Sequence, residues 1–132
     1  MEVPILKQSH YLIASIQAAL TDADLLQLRD ALAEKVGRFR SRGVIVDVTA
    51  LDVMDSFASR TLRDLAHMIR LRGAETVIVG IQPEVALAMV QLGLTLEGVA
   101  TALDLEEGLA FLNEKTQRLG IETKPSHKWP QQ

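Results

Sequence analysis

The chain has 132 residues, 48% of them hydrophobic, enough for one compact core and too few for two ordinary domains. Its net charge of -3 supplies no basic field, so nucleic acid and anionic membrane surfaces are poor candidate partners. With no cysteine there is no disulfide framework, thiolate nucleophile or cysteine-ligated zinc, and the start MEVPILKQSH lacks the features of a signal peptide, which predicts a soluble cytoplasmic protein.

Ile5 and Leu6, then Tyr11 to Ile16, are short apolar runs around Lys7, Gln8, Ser9 and His10, the pattern of a β-hairpin. Thr21 or Asp22 caps a helix whose apolar stripe is Leu25, Leu28, Leu32, Val36 and Phe39, and Gly43 is expected to end it. Val44 to Val48 is apolar in nearly every position, as a strand covered on both faces should be. Asp47, Asp52 and Asp55 follow, and Ser56 is expected to cap the second helix. That helix buries Ala58, Leu62, Leu65 and Ile69 and turns Arg60, Arg63, Asp64, His67 and Arg70 to solvent; Arg72 and Gly73 end it.

Thr76 to Val79 is a further buried strand, and Gln82 and Pro83 start a third helix, with proline where its missing N–H is harmless. Gly93 closes that helix. A short extended piece near Val99 leads to Asp104 and Glu107, a capping box for the helix that carries Leu105, Leu109 and Leu112. The apolar pattern stops at Leu119. The expected fold class is α/β, a mixed β-sheet of about four to five strands with four or more helices. Residues 1–119 form the domain, and 120–132, with Trp129, a flexible C-terminal tail.

No phosphate loop, HExxH pair or GxSxG elbow is present, and His10, His67 and His127 are scattered, so no catalytic residue, metal or cofactor is expected. Asp64 and His67, three apart, are a weak chelating pair or simply a solvated one. Asp47, Asp52 and Asp55 sit at the carboxyl end of a central strand, where α/β sheets place ligands. They suit either a receiver-like, Mg²⁺-dependent aspartate phosphoacceptor or plain strand-end, turn and helix-start roles. A receiver would want an acidic pair after its first strand, where Lys7 and Gln8 stand. Ser56 is either a structural cap worth roughly 1 kcal/mol or a serine open to phosphorylation at a helix N-terminus that tolerates negative charge; Ser59 and Thr61 share the ambiguity. The third helix is apolar nearly all round at Val85, Leu87, Met89, Val90 and Leu92, so another helix covers it or a subunit does.

Three segments, DVMDSFASR (Asp52 to Arg60), GAETVIVGIQPEVA (Gly73 to Ala86) and TALDLEEGL (Thr101 to Leu109), together resemble the STAS domain family of anti-sigma factor antagonists, and within it the RsbS-type stressosome scaffolds. The likeness runs from Pro4 to about Leu112. It implies a non-enzymatic scaffold and antagonist that assembles with copies of itself and with RsbR-type STAS co-antagonists. It also implies capture of an RsbT-type switch serine kinase, release of that kinase upon phosphorylation of Ser56, and an RsbX-type phosphatase that resets the state. Ser59 is then a secondary candidate for modification, and Asp55, Phe57 and Arg60 are expected to contact the kinase. RsbR-type relatives carry a sensory domain ahead of the STAS domain and a threonine in the third helix where this sequence has Ala88, so the scaffold role is the one implied. A STAS module binding a small ligand or nucleotide is the competing reading, although no phosphate-cradling glycine loop supports it.

Overall fold

The computed structural model describes residues 2–123, with 118–123 described by their backbone alone. The elements are β1 (Ile5–Gln8), β2 (Tyr11–Ser15), α1 (Asp22–Phe39), β3 (Gly43–Asp47), α2 (Ser56–Leu71), β4 (Glu75–Val79), α3 (Pro83–Gln91), β5 (Ala100–Ala102) and α4 (Leu105–Thr123). Residues 124–132, including Trp129, lie outside the described residues, and α4 itself runs past Leu119, where the apolar pattern stops.

One sheet holds all five strands in the order β1-β2-β3-β4-β5. The opening hairpin is antiparallel, with Ile5 opposite Ala14 and Gln8 opposite Tyr11, and the other three pairings are parallel. Each parallel pair is joined through a helix, as parallel strands require. The α/β class and mixed sheet follow from the alternation of β-branched runs with helical stripes, now with five strands and four helices among the described residues.

Because side chains alternate along a strand, the sheet feeds two cores. Leu12, Ala14, Val44, Val46 and Ile78 pack with Leu28, Leu32, Leu62, Leu65 and Ile69 of α1 and α2, and with Val85 and Met89 of α3. On the other face Tyr11, Ile13, Ile45, Val77 and Val79 meet Leu112 of α4. α4 lies close to the sheet because the contacts are glycines: a Cβ on Gly43 would fall 2.8 Å from Leu112 Cδ1, and one on Gly108 2.7 Å from Val79 Cγ1. The Tyr11 hydroxyl adds a hydrogen bond of 2.5 Å to Asn113 Oδ1.

Gly43 therefore does not end α1, contrary to the sequence expectation; it opens β3. The helix closes at Arg40, in the left-handed region at φ 51, with Ser41 N donating to Val36 O at 3.1 Å. Non-glycine residues pay about 1–2 kcal/mol for that conformation. Arg40→Gly is expected to raise stability by about 1 kcal/mol, seen as a higher denaturant midpoint at unchanged slope. α3 buries only Val85 and Met89 and leaves Leu87, Val90 and Leu92 exposed, so within one chain half of this apolar helix is uncovered.

Candidate functional site at the carboxyl edge of the sheet

The segment between β3 and α2 is built on the edge where β3 and β4 end. Asp47 closes β3, and its Oδ1 accepts from Thr49 N at 2.9 Å and from the Thr49 hydroxyl at 2.6 Å, which turns the chain out of the sheet. Gly80, at φ +83 just after β4, sits so close that a Cβ there would overlap Thr49 Oγ1. Gln82 Nε2 then donates to Thr49 O at 2.7 Å and reaches Asp52 Oδ1 at 3.4 Å, tying the two loops at this edge together. Leu51 and Met54 anchor the segment in the core, at 8% and 4% exposure, and between and beyond them Asp52, Val53, Asp55 and Ser56 face solvent.

The N-cap of α2 is Asp55, not Ser56: Asp55 Oδ1 accepts from Ala58 N at 2.8 Å, and Ser59 N donates to Asp55 O at 3.0 Å. Aspartate and serine are both strong caps, and the acidic residue wins because its carboxylate also meets the positive end of the helix dipole. Ser56 is thereby freed. It is the first helical residue, exposed, with its hydroxyl not needed to cap the helix. The first turn contains no acidic residue, and Asp55 occupies the N–H groups of Ala58 and Ser59, leaving those of Ser56 and Phe57 at the surface end.

The neighbouring hydroxyls are placed differently. Ser59 is 2% exposed and its hydroxyl has no partner among the described residues, while Thr61, 4% exposed, donates to Phe57 O at 2.8 Å. One turn into the helix, the spacing that puts Ser59 near Ser56 also puts it on the buried side, so Ser56 is the more accessible of the two hydroxyls. Phe57 is half-buried and packs on the α1–α2 core, so the exposed apolar side chain of this loop is Val53, at 73%. Val53, Asp55, Leu51 and Ala58 line a shallow groove of about 200 Å³ shared with Ala19 and Leu20. Sequence reading missed Val53 and the brace of Thr49, Gly80 and Gln82; a glycine directly after a buried strand is the signal for such a close backbone approach.

Farther along α2, Arg60 is exposed at the rim of a groove of about 330 Å³ with Arg63, Asp64, His67 and Glu97. Arg63 and Arg70 point across to the segment before β5, to Thr95 Oγ1 at 3.4 Å and Gly98 O at 2.6 Å, so these two brace the fold. Asp47 and Asp52 each have a structural partner as described, and among the described residues no three histidine or acidic side chains cluster in a way that could hold a metal. No helix among them is long and apolar enough to cross a membrane.

The STAS domain family model matches residues 2–108. The RsbT co-antagonist protein RsbRA of Bacillus subtilis is 32% identical over 92 residues, which cover 70% of this chain and 34% of that protein, so the chain spans about a third of this curated relative. A serine-to-glutamate variant of Moorella thermoacetica RsbS superimposes with a TM-score of 0.76 at 33% identity, covering 89% of this chain and 99% of that one. A chain from a structure describing the molecular architecture of the stressosome, a signal integration and transduction hub, gives a TM-score of 0.71 at 34% identity, over 86% of this chain and 99% of the other.

Proposed function

The chain belongs to the STAS domain family, and from that premise we propose that it is a stressosome scaffold and anti-sigma factor antagonist that holds an RsbT-type serine kinase and lets it go when Ser56 is phosphorylated. The observation that carries the reading is the placement of Ser56: exposed at the first position of α2, released from capping by Asp55 and presented by a loop anchored on both sides. Near-complete coverage of an RsbS chain and of a stressosome chain supports the assembly role, and the similarity to an RsbT co-antagonist supports RsbR-type partners. That the RsbS relative was studied with a glutamate in place of one serine fits regulation by negative charge.

The chemistry is one of charge. A phosphate on Ser56 adds about -1.5 to -2 at neutral pH. The helix N-terminus accepts it, so α2 survives, while Asp52 and Asp55 beside it make the loop strongly anionic. A kinase surface that docks on Val53, Asp55 and Arg60 around an uncharged serine is then repelled. The chain itself performs no reaction; the kinase supplies the chemistry, an RsbX-type phosphatase reverses it, and all act in the cytoplasm.

The test is a binding measurement with an RsbT-type kinase before and after incubation with Mg²⁺ and ATP. Affinity is expected to fall at least about tenfold, a change of 1.4 kcal/mol, as Ser56 becomes modified. Equal affinity for the two forms contradicts the switch.

A further inference from the structure

At the opposite end of the sheet from Ser56, the chain turns from α1 into β3 and from α2 into β4, and the two turns enclose an open cleft of about 670 Å³. Three arginines line it: Arg40, Arg42 and Arg72. They come from separate turns and meet only through the fold. None has a side-chain hydrogen bond or carboxylate partner among the described residues, where the ion pairs are Arg29 with Asp30 and Arg38 with Glu34. In a chain of net charge -3, three unpaired guanidiniums around one cleft are a local reversal of sign.

Helix-end electrostatics account for only part of this charge, although Arg40 and Arg72 are the C-caps of α1 and α2. Backbone donors close Val36 O at the end of α1, from Ser41 N at 3.1 Å, and Ile69 O at the end of α2, from Ala74 N at 3.1 Å. Each helix end adds about half a negative charge, which leaves the three arginines in excess by about two.

Two further features mark the cleft as built. Ser41 lines it, is 6% exposed, and its hydroxyl lacks any partner among the described residues, although buried hydroxyls almost always have one. Gly37 stands inside α1, where glycine costs about 1 kcal/mol relative to alanine. A Cβ there would overlap the Arg72 guanidinium, so the glycine lets that cation lie flat against the helix at the cleft wall.

From the cationic rim, the unpartnered buried hydroxyl and the glycine seat we infer that this cleft binds an oligophosphate, either free or as the phosphate tail of a small molecule. Arginine forks match phosphate oxygens two at a time, and the unpartnered Ser41 hydroxyl lies buried in the cleft wall beside them. The volume lies within the range of small-molecule sites, with room beyond the phosphates themselves. This site is independent of the phosphoserine reading, since it lies on the other edge of the sheet and uses none of the same residues.

The experiment is calorimetric titration of the full chain with orthophosphate, pyrophosphate, tripolyphosphate and ATP, with amide chemical shifts mapping the site. Saturable binding is expected, at least tenfold tighter for tripolyphosphate than for orthophosphate, with shifts at Ser41, Arg42 and Gly73. ATP bound more tightly than tripolyphosphate assigns a nucleotide-like ligand, and the reverse assigns the free anion. Arg42→Gln and Arg72→Gln should each weaken binding at least tenfold while Arg29→Gln does not; the Arg42 backbone bonds to His10 O and from Glu75 N survive its side-chain change. Gly37→Ala keeps every charge and raises helix propensity, yet should weaken binding at least threefold by displacing Arg72. No saturation at millimolar ligand, an affinity unmoved by Gly37→Ala, or shifts that map elsewhere would overturn the assignment.

Discussion

Ser59→Glu is expected to cost at least about 3 kcal/mol of folding stability, while Ser56→Glu, three residues away, changes it by less than about 1 kcal/mol. At 2% exposure, the Ser59 side chain has no room for solvent and no partner even for a neutral hydroxyl, so a carboxylate there is buried unpaired. The same carboxylate at Ser56 stands in water at the positive end of α2, in a first turn with no acidic residue of its own, and is mildly favourable. Urea unfolding of the two variants reads the difference directly. A stable Ser59→Glu chain would mean that this face of α2 opens to solvent, and with it the second serine. Their behaviour separates again in kinase binding: Ser56→Glu should fold normally and bind the kinase at least tenfold more weakly.

Gly80→Ala is expected to lose about 2 to 4 kcal/mol and to weaken kinase binding with it. Two costs add at this residue. The positive φ of +83 is strained for any L side chain, and the new Cβ would collide with Thr49 Oγ1, the group that holds Asp47 at the end of β3. Thr49 cannot retreat without losing its two bonds to Asp47 or pulling on Gln82, which bridges from α3's N-cap to Thr49 O. The loop carrying Ser56 should therefore move even though no residue of α2 is altered. Thermal unfolding gives the first effect. Amide exchange at residues 49 to 56 gives the second, and wild-type protection there would show that Gly80 does not brace the loop.

The helices and strands were legible because burial leaves a period. Val44 to Val48 could only be an interior strand, and Leu25, Leu28, Leu32 and Val36 could only be one face of a helix, so element order and the mixed sheet followed. Ends were harder. Gly43 looked like a helix stop and is instead the seat of Leu112, a contact between residues almost seventy apart that no local pattern records. Asp55 and Ser56 are both good caps, so local chemistry did not decide which would serve; the choice matters because it sets whether the serine is engaged or free. Ser59 lay beside Ala58 and one turn before Leu62 and Arg63, at the margin of the apolar stripe, and only packing of α2 on α1 and the sheet sends it inward. The arginine cleft was illegible for another reason. Arg40 and Arg42 are near neighbours, but Arg72 reaches them only once α1 and α2 are packed side by side over the sheet.

The uncovered face of α3 has the same character. Its sequence required a cover for Leu87, Val90 and Leu92; the chain alone covers Val85 and Met89 only. That asymmetry agrees with a scaffold role, in which surfaces left apolar in one copy are suited to contacts between chains.

The most direct test of the account is peptide mass spectrometry of the chain after incubation with an RsbT-type kinase, Mg²⁺ and ATP, alongside the Ser56→Ala variant. One phosphate is expected, mapping to Ser56 and absent from the variant. A phosphate on Ser59, on an aspartate, or undiminished in Ser56→Ala would contradict the switch at the α2 N-terminus.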